Sequence, residues 1–167
     1  MKEIYLAGGC FWGLQKFFDQ FDGVVSTEVG YANGPDCRDG HWPTYEEVCR
    51  SSGHAETVKI IYDEKGISLP ELLRFYFMVI DPVSVNRQGN DRGIQYRTGI
   101  YYTDESDLPT LKACYAKEQE KYPRKMEVEL LPLENFYPAE EYHQKYLEKN
   151  PGGYCHIPKA LLELRKK

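Results

Sequence analysis

Apolar positions along the chain fall into short blocks that switch between two periods. Glu3 to Ala7 contains the run Ile-Tyr-Leu-Ala and predicts a short buried strand, whereas Leu14, Phe17, Phe18 and Phe21 recur at helical spacing and predict a helix from Phe11 to Phe21. Val24 to Tyr31 predicts a second strand, closed by the turn-forming Asn33-Gly34-Pro35-Asp36, and Glu56 to Tyr62 predicts a third. Ser68 caps a helix that runs to about Ile80, where Asp81-Pro82 stops it, and Thr98 to Tyr102 predicts a fourth strand. Leu108 to Tyr122 then predicts a helix, Glu127 to Leu131 a strand and Ala139 to Glu148 another helix, while Asn150 to Pro158 is Pro/Gly-rich coil. The order strand, helix, strand, strand, helix, strand predicts an α+β fold. Its expected form is a ferredoxin-like split βαβ two-layer sandwich with a mixed sheet, extended by an extra C-terminal helix and coil. No repeat, low-complexity tract or linker breaks the pattern, so residues 1–167 are expected to form one domain.

Composition narrows the function classes. A chain of 167 residues can bury a core without metal or disulfide staples. The formal net charge of -5 argues against a nucleic-acid or anionic-membrane partner, both of which reward clustered Lys and Arg, and the closing Arg165-Lys166-Lys167 is too short to change that. No apolar run approaches a membrane span, and the Met1-Lys2-Glu3 start lacks the apolar stretch of a signal peptide, so a cytoplasmic monomer is the expectation. In that compartment thiols stay reduced. The five cysteines (Cys10, Cys37, Cys49, Cys114, Cys155) are odd in number and include no Cys-x-x-Cys, and the four histidines share no paired-ligand spacing with them, so neither a disulfide framework nor a metal site is expected. Fourteen tyrosines offer an unusual supply of phenolic hydroxyls for a polar-ended aromatic pocket.

Candidate chemistry starts at "GGCFWG". A buried structural cysteine needs no glycines beside it, whereas a nucleophile on a tight strand-to-helix turn needs small neighbours for backbone clearance and substrate approach. Cys10 is therefore the candidate nucleophile, placed at a helix N-terminus where the dipole and unpaired N–H groups favour a thiolate. Three further segments collect polar residues that no strand or helix period explains: "TYEEV" with "GHAE", "NRQGNDRGIQYR" and "NPGGYC". The middle one is long and structureless by pattern, and compact domains keep such loops mainly for function, which makes Asp91 and Tyr96 site candidates.

"GGCFWG", "TYEEVC", "GHAE", "DPVSVNRQGNDRGIQYR" and "NPGGYC" occur in this order, and together they resemble the successive signature segments of the type A peptide methionine sulfoxide reductases. The resemblance covers Ile4 to Cys155. It implies Cys10 as nucleophile, Glu56 as proton donor, Tyr45 and Tyr96 as donors to the sulfoxide oxygen, Phe11 and Trp12 as the pocket for the substrate methyl and Cys155 as the recycling thiol; Asp91, a candidate from its loop, is expected to bind substrate. It also implies selectivity for the S sulfoxide, free or in oxidised proteins, no bound cofactor, and thioredoxin, with NADPH behind it, as external reductant, which dithiothreitol replaces in vitro.

The residue types suit that chemistry. An unprotonated oxide is a very poor leaving group, so reduction needs an acid, and a carboxyl group among aromatics keeps its proton near neutral pH because desolvation raises its pKa. Glu56 among Tyr45, Tyr96 and Trp12 fits that need, and two phenols on one oxygen act as an oxyanion-hole equivalent. Attack leaves Cys10 as a sulfenic acid, which a second thiol on a mobile loop, Cys155 beside Gly152 and Gly153, condenses with to a disulfide.

Other readings compete for the same residues. Cys10 reads equally as an inert core thiol, and Phe11 or Trp12 as the core face of a helix, since adjacent positions point different ways. Cys37, Cys49 and Cys114 read as structural or incidental. A Cys-His hydrolase or acyl transferase would pair Cys10 with His54 or His143, and a noncatalytic aromatic peptide-binding module would use the tyrosines alone. Some members of the family carry a further cysteine beyond the one matching Cys155; this chain continues His156-Ile157-Pro158, which implies a single-resolver cycle. The "GYCHI" ending also resembles enzymes in which this domain is fused to a type B domain.

Overall fold

Lys2–Ala7 forms β1, and its alternation sorts two cores. Ile4 and Leu6 join the main cluster, while Tyr5 and Ala7 point to a smaller one with Ala32, Ala55 and Tyr101. A strand whose sheet is covered above and below buries both faces, and Ile4 to Ala7 are all buried. In the computed structural model, which describes residues 1–37 and 41–164, the chain runs β1, α1 (Phe11–Asp19), β2 (Val24–Ala32), α2 (Tyr45–Cys49), β3 (Ala55–Tyr62) and α3 (Leu69–Met78). It continues through β4 (Arg87–Gln88), β5 (Asp91–Arg92), β6 (Gly99–Tyr102), α4 (Leu108–Gln119), β7 (Glu129–Pro132), β8 (Phe136–Pro138), α5 (Tyr146–Lys149) and α6 (Lys159–Leu162). The basic run Arg165-Lys166-Lys167 lies outside the described residues.

Among the described residues β7-β6-β1-β3-β2-β8 make one sheet, antiparallel throughout except for the parallel pair β6 and β7, so the fold is α+β with a mixed sheet. The four strands of the β1-α1-β2-β3-α3-β6 run are neighbours in the order β6-β1-β3-β2. Phe17 and Phe18 of α1 and Leu72, Leu73 and Tyr76 of α3 share the main cluster with Ile4, Leu6, Val58 and Ile60, which puts both helices on one face of the sheet. Tyr76 matters most for the site. Its buried hydroxyl donates to the Ala7 carbonyl at 2.6 Å and accepts from the Gly99 N–H at 3.1 Å, pinning the ends of β1 and β6 just before the turn that carries Cys10.

Several expectations are corrected. The helix at Phe11 ends at Asp19, with Phe21 still in the core, and the helix at Leu108 ends at Gln119. The strand expected at Glu127 to Leu131 spans Glu129–Pro132. Ala139 to Glu148 is not one helix: a 3-10 turn over Glu141–His143 is followed by an extended Gln144, a left-handed Lys145 (φ 55°) and only then α5. Tertiary hydrogen bonds explain the break, because Gln144 bonds both the Val29 N–H (3.0 Å) and the Val29 carbonyl (2.9 Å), and the Lys145 N–H donates to Gln15 Oε1 at 2.8 Å. The segment read as structureless holds the β4-β5 hairpin and a 3-10 turn over Ile94–Tyr96. β8, three residues ending in Pro138, and the short α6 carried no periodic signal. No described helix is long and apolar enough to cross a membrane.

Candidate active site

The turn between β1 and α1 presents the nucleophile candidate. Gly9 has φ +81°, a backbone conformation that glycine adopts at no steric cost, and Cys10 follows as the N-cap of α1 with an extended backbone and no side-chain capping bond. The residue is buried, at 7% exposure.

Glu56 enters from the neighbouring strand pair. It lies near the start of β3, opposite Tyr31 of β2, and is 1% exposed. Its Oε1 accepts the Phe11 N–H at 3.2 Å, one of the unpaired donors of the first turn of α1, while its Oε2 is buried with no hydrogen-bond partner. Burial pushes the carboxyl up to about 8; the Phe11 N–H opposes the shift and the Asp91 charge adds to it. At neutral pH this acid holds its proton, and the unpartnered oxygen is where a substrate can receive it.

Tyr45 and Tyr96 converge on the same carboxyl from separate segments. Thr44 starts α2 with a capping box against Glu47, and the Tyr45 N–H donates to Glu140 Oε2 at 3.0 Å. Tyr96 closes the 3-10 turn after the β4-β5 hairpin. Both phenols are half-buried; burial raises their pKa values well above normal, and a Glu56 charge would raise them further, so both stay O–H donors. Tyr96 also feels Cys10, which ties the thiol, the acid and both phenols into one cluster.

The thiolate expected at Cys10 is corrected. Burial pushes the thiol well above its ordinary value, a Glu56 charge would add to that, and the Trp12 backbone N–H works the other way. Desolvation of the buried Cys10 thiol outweighs the favourable end of a nine-residue helix. The resting group is a thiol.

Phe11 and Trp12 are placed differently. Phe11 is fully buried among Tyr31 and His143, with ring centroids 5.8 and 5.3 Å away. Trp12 is half-buried, stacks on Tyr146 at 3.7 Å and 11°, and donates from Nε1 to His143 Nδ1 at 2.9 Å. Asp91, on β5, is raised by burial, with the Tyr154 hydroxyl and the Cys10 backbone N–H working against the shift, and its Oδ2 is buried without a hydrogen-bond partner. Cys155 is half-buried in the segment before α6, its Sγ accepting the Ile157 N–H at 3.4 Å, and its thiol is raised mainly by burial. All five cysteines are free thiols.

Two residues were not singled out for this role by the sequence. Glu140 accepts the Tyr31 hydroxyl at 2.8 Å and the Tyr45 N–H at 3.0 Å, so it holds the start of α2 against β2. Burial pushes its carboxyl up, but the N–H groups of Tyr45 and of Glu140 itself, with the Tyr31 hydroxyl, outweigh this and leave it below its ordinary value. His143 packs on Tyr45 with ring centroids 4.5 Å apart as well as on Phe11 and Trp12. A run of polar residues after Pro138 was the only sequence sign of either.

Neither candidate base of a hydrolase is available. His54 is committed at both ring nitrogens, Nδ1 to Ser52 Oγ at 2.8 Å and Nε2 to the Pro35 carbonyl at 3.0 Å. His143 is kept neutral by burial and its Nδ1 accepts from Trp12, so its one proton sits on Nε2 and no lone pair is left to act as a base. Among the described residues no group of three or more His, Cys, Asp or Glu is placed to hold a metal ion.

A buried thiol, a proton-bearing carboxyl and two phenolic donors, without a histidine base, define a thiol-dependent oxidoreductase. A family model described as peptide methionine sulfoxide reductase matches residues 2–166. The chain belongs to that family. The peptide methionine sulfoxide reductase MsrA of Clostridium acetobutylicum is 58% identical over 164 residues, covering 98% of this chain and 99% of that protein. The crystal structure of Mxr1 from Saccharomyces cerevisiae in reduced form matches with TM-score 0.89 at 39% identity, over 94% of this chain and 91% of that one. The structure of Mxr1 in complex with Trx2 matches with TM-score 0.61 at 28% identity, over 87% of this chain and 84% of that one.

Proposed function

We propose that this chain reduces the S sulfoxide of methionine, free or in oxidised proteins, with Cys10 as nucleophile, Glu56 as acid, and Cys155 as the thiol that closes a disulfide for thioredoxin to open. The observation that carries it is the buried Glu56 carboxyl, pKa about 8, with Oε2 unpartnered beside the Cys10 turn. A hydrolase has no use for a proton-bearing acid beside its thiol in place of a base; a sulfoxide oxygen needs it.

In the first step Tyr45 and Tyr96 donate hydrogen bonds to the sulfoxide oxygen and Glu56 gives it a proton, which makes the sulfur electrophilic. Cys10 attacks that sulfur, and the Glu56 carboxylate just formed takes the thiol proton. The raised Cys10 thiol is no obstacle in this scheme, because its proton leaves only when a cationic sulfur faces it and a fresh base lies beside it. The attack forms a bond between the Cys10 and substrate sulfurs; the hydroxyl then passes from the substrate sulfur to the Cys10 sulfur as the S–O bond to the substrate breaks. The S–S bond breaks with its electron pair on the substrate, which leaves as a thioether two electrons richer while Cys10, two electrons poorer, carries the oxygen as a sulfenic acid. Asp91 helps place the substrate beside the Cys10 turn. Trp12, with Phe11 behind it, receives the methyl by dispersion and sulfur-aromatic contact.

Thioredoxin as reductant is supported by the Mxr1 structure with Trx2 bound. The order β6-β1-β3-β2 supports reading the β1-α1-β2-β3-α3-β6 run as a ferredoxin-like split βαβ two-layer core, within one domain over residues 1–167.

The function is tested by offering separate S and R sulfoxide peptides without reductant and counting thiols. The S peptide should turn into thioether with two thiols lost per enzyme. Product without thiol loss, or thiol loss without thioether, removes the proposal. Trp12→Ala should lower kcat/KM by at least tenfold, about 1.4 kcal/mol. Full kcat/KM in the folded fraction would make Trp12 a packing residue only.

A further inference from the structure

The resolving segment does not merely pass near the site; it rests on the glycines of "GGCFWG". A Cβ built on Gly13, in α1, would lie 2.6 Å from Cys155 Sγ, and the next nearest atoms, Ile157 Cδ1 and Cγ1, are at 3.4 and 3.6 Å. The sulfur is thus the atom with which a Cβ at that position would clash hard. A Cβ on Gly9 would meet the His156 ring at 3.1 Å, the His156 side chain is 4% exposed, and Ile157 is buried in the main cluster. Cys155, His156 and Ile157 therefore lie against the β1-α1 turn and the first turns of α1, anchored by Ile157.

We propose that Gly13 is the seat of the resolving thiol, a positioning residue whose missing Cβ lets the Cys155 sulfur wait on α1 three residues from Cys10. Three residues are about 4.5 Å of helix rise, so the sulfur is parked within roughly one turn of its target. The proposal rests on reading Cys155 as the resolver. In the closing step the Cys155 sulfur attacks the sulfenic sulfur of Cys10, the S–O bond breaks, and the hydroxyl leaves with the Cys155 proton as water, so no outside oxidant or reductant is consumed. A Cβ at Gly13 pushes the Cys155 sulfur off α1 and slows this step, while sulfoxide reduction at Cys10 is untouched.

Flexibility at Gly152 is a different matter. A Cβ there would meet nothing within 4 Å, and no positive φ requires glycine. Gly152→Ala is therefore the control.

The test is a single turnover with limiting sulfoxide, read as methionine released, as dimedone-trappable sulfenic acid and as thiols lost. Alanine is the better helix former at a position inside α1, so Gly13→Ala should fold and give the wild-type methionine burst. It should then hold the sulfenic acid at least tenfold longer before the disulfide forms, with Gly152→Ala behaving as wild type. Closure as fast as wild type in Gly13→Ala overturns the proposal. If Gly13→Ala loses the burst, the double variant Gly13→Ala/Cys155→Ala, which removes the clashing sulfur, must regain it, and failure to do so also overturns the seat. Normal thioredoxin turnover in Cys155→Ser alone would instead sink the reading of Cys155 on which the seat depends, whatever Gly13→Ala shows.

Discussion

Cys10→Ser should leave a folded protein with sulfoxide reduction at background. Serine is among the preferred N-cap residues and Cys10 makes no side-chain capping bond, so the exchange leaves the start of α1 intact or strengthens it. A hydroxyl in the same place has far too high a pKa and too little nucleophilicity toward sulfur to replace the thiol. Near-native thermal stability with no thioether in single turnover is the expected pair of results. Residual reduction well above background would assign the attack to another of the five thiols.

Glu56→Gln should slow the reduction step by roughly 10²- to 10⁴-fold, because the amide keeps shape and hydrogen bonding but has no transferable proton. The wild-type step should itself weaken as pH rises through about 8, where the acid ionises. The same carboxyl sets a stability signature that also falls as pH rises. Its folded pKa is raised from the model-compound value of 4.5 to about 8, so between those values the unfolded chain has lost the proton and the folded chain keeps it. Stability from this group is fully present below pH 4.5 and is lost as pH rises toward 8, by about 1.4 kcal/mol per pH unit at most. Glutamine does not titrate. Denaturant melts should therefore show Glu56→Gln more stable than wild type at pH 7 by at least about 1 kcal/mol, with the slope in that pH range reduced. A variant less stable at pH 7, or one with an unchanged reduction rate, would take the buried proton out of the account.

The strands of the β1-α1-β2-β3-α3-β6 run were readable because each has its own apolar period; Ser68 marks the start of α3, and the Asp81-Pro82 stop places its end about two residues beyond Met78, where it falls. Ala139 to Glu148 failed for a reason no local pattern carries: Gln144 spends its side chain on Val29 of β2, more than a hundred residues away in sequence, and Lys145 turns left-handed to reach Gln15. The site divides in the same way. Glycines around a thiol are visible in one dimension, and so are the segments bearing Tyr45, Tyr96, Glu56 and Cys155. The burial of Glu56 is not, because a Glu near the start of a strand is usually exposed and only the packed sheet removes water from it. The thiolate expectation at Cys10 went astray on that point: a helix terminus is a local feature, whereas desolvation belongs to the whole fold and here it is larger. Glu140 and His143 act through contacts with Tyr31, Tyr45 and Trp12 that come from three different elements, and a sequence offers no distance between them.

The division of labour between the two thiols is most directly measured in Cys155→Ser given one equivalent of S sulfoxide peptide. The account predicts a fast burst of one methionine per enzyme, then a stall with a sulfenic acid on Cys10 that dimedone labels and mass spectrometry locates, and that thioredoxin alone clears poorly. Normal thioredoxin-driven turnover in this variant would contradict it by passing resolution to Cys37, Cys49 or Cys114, and a missing burst would contradict it by requiring Cys155 before the sulfoxide is reduced.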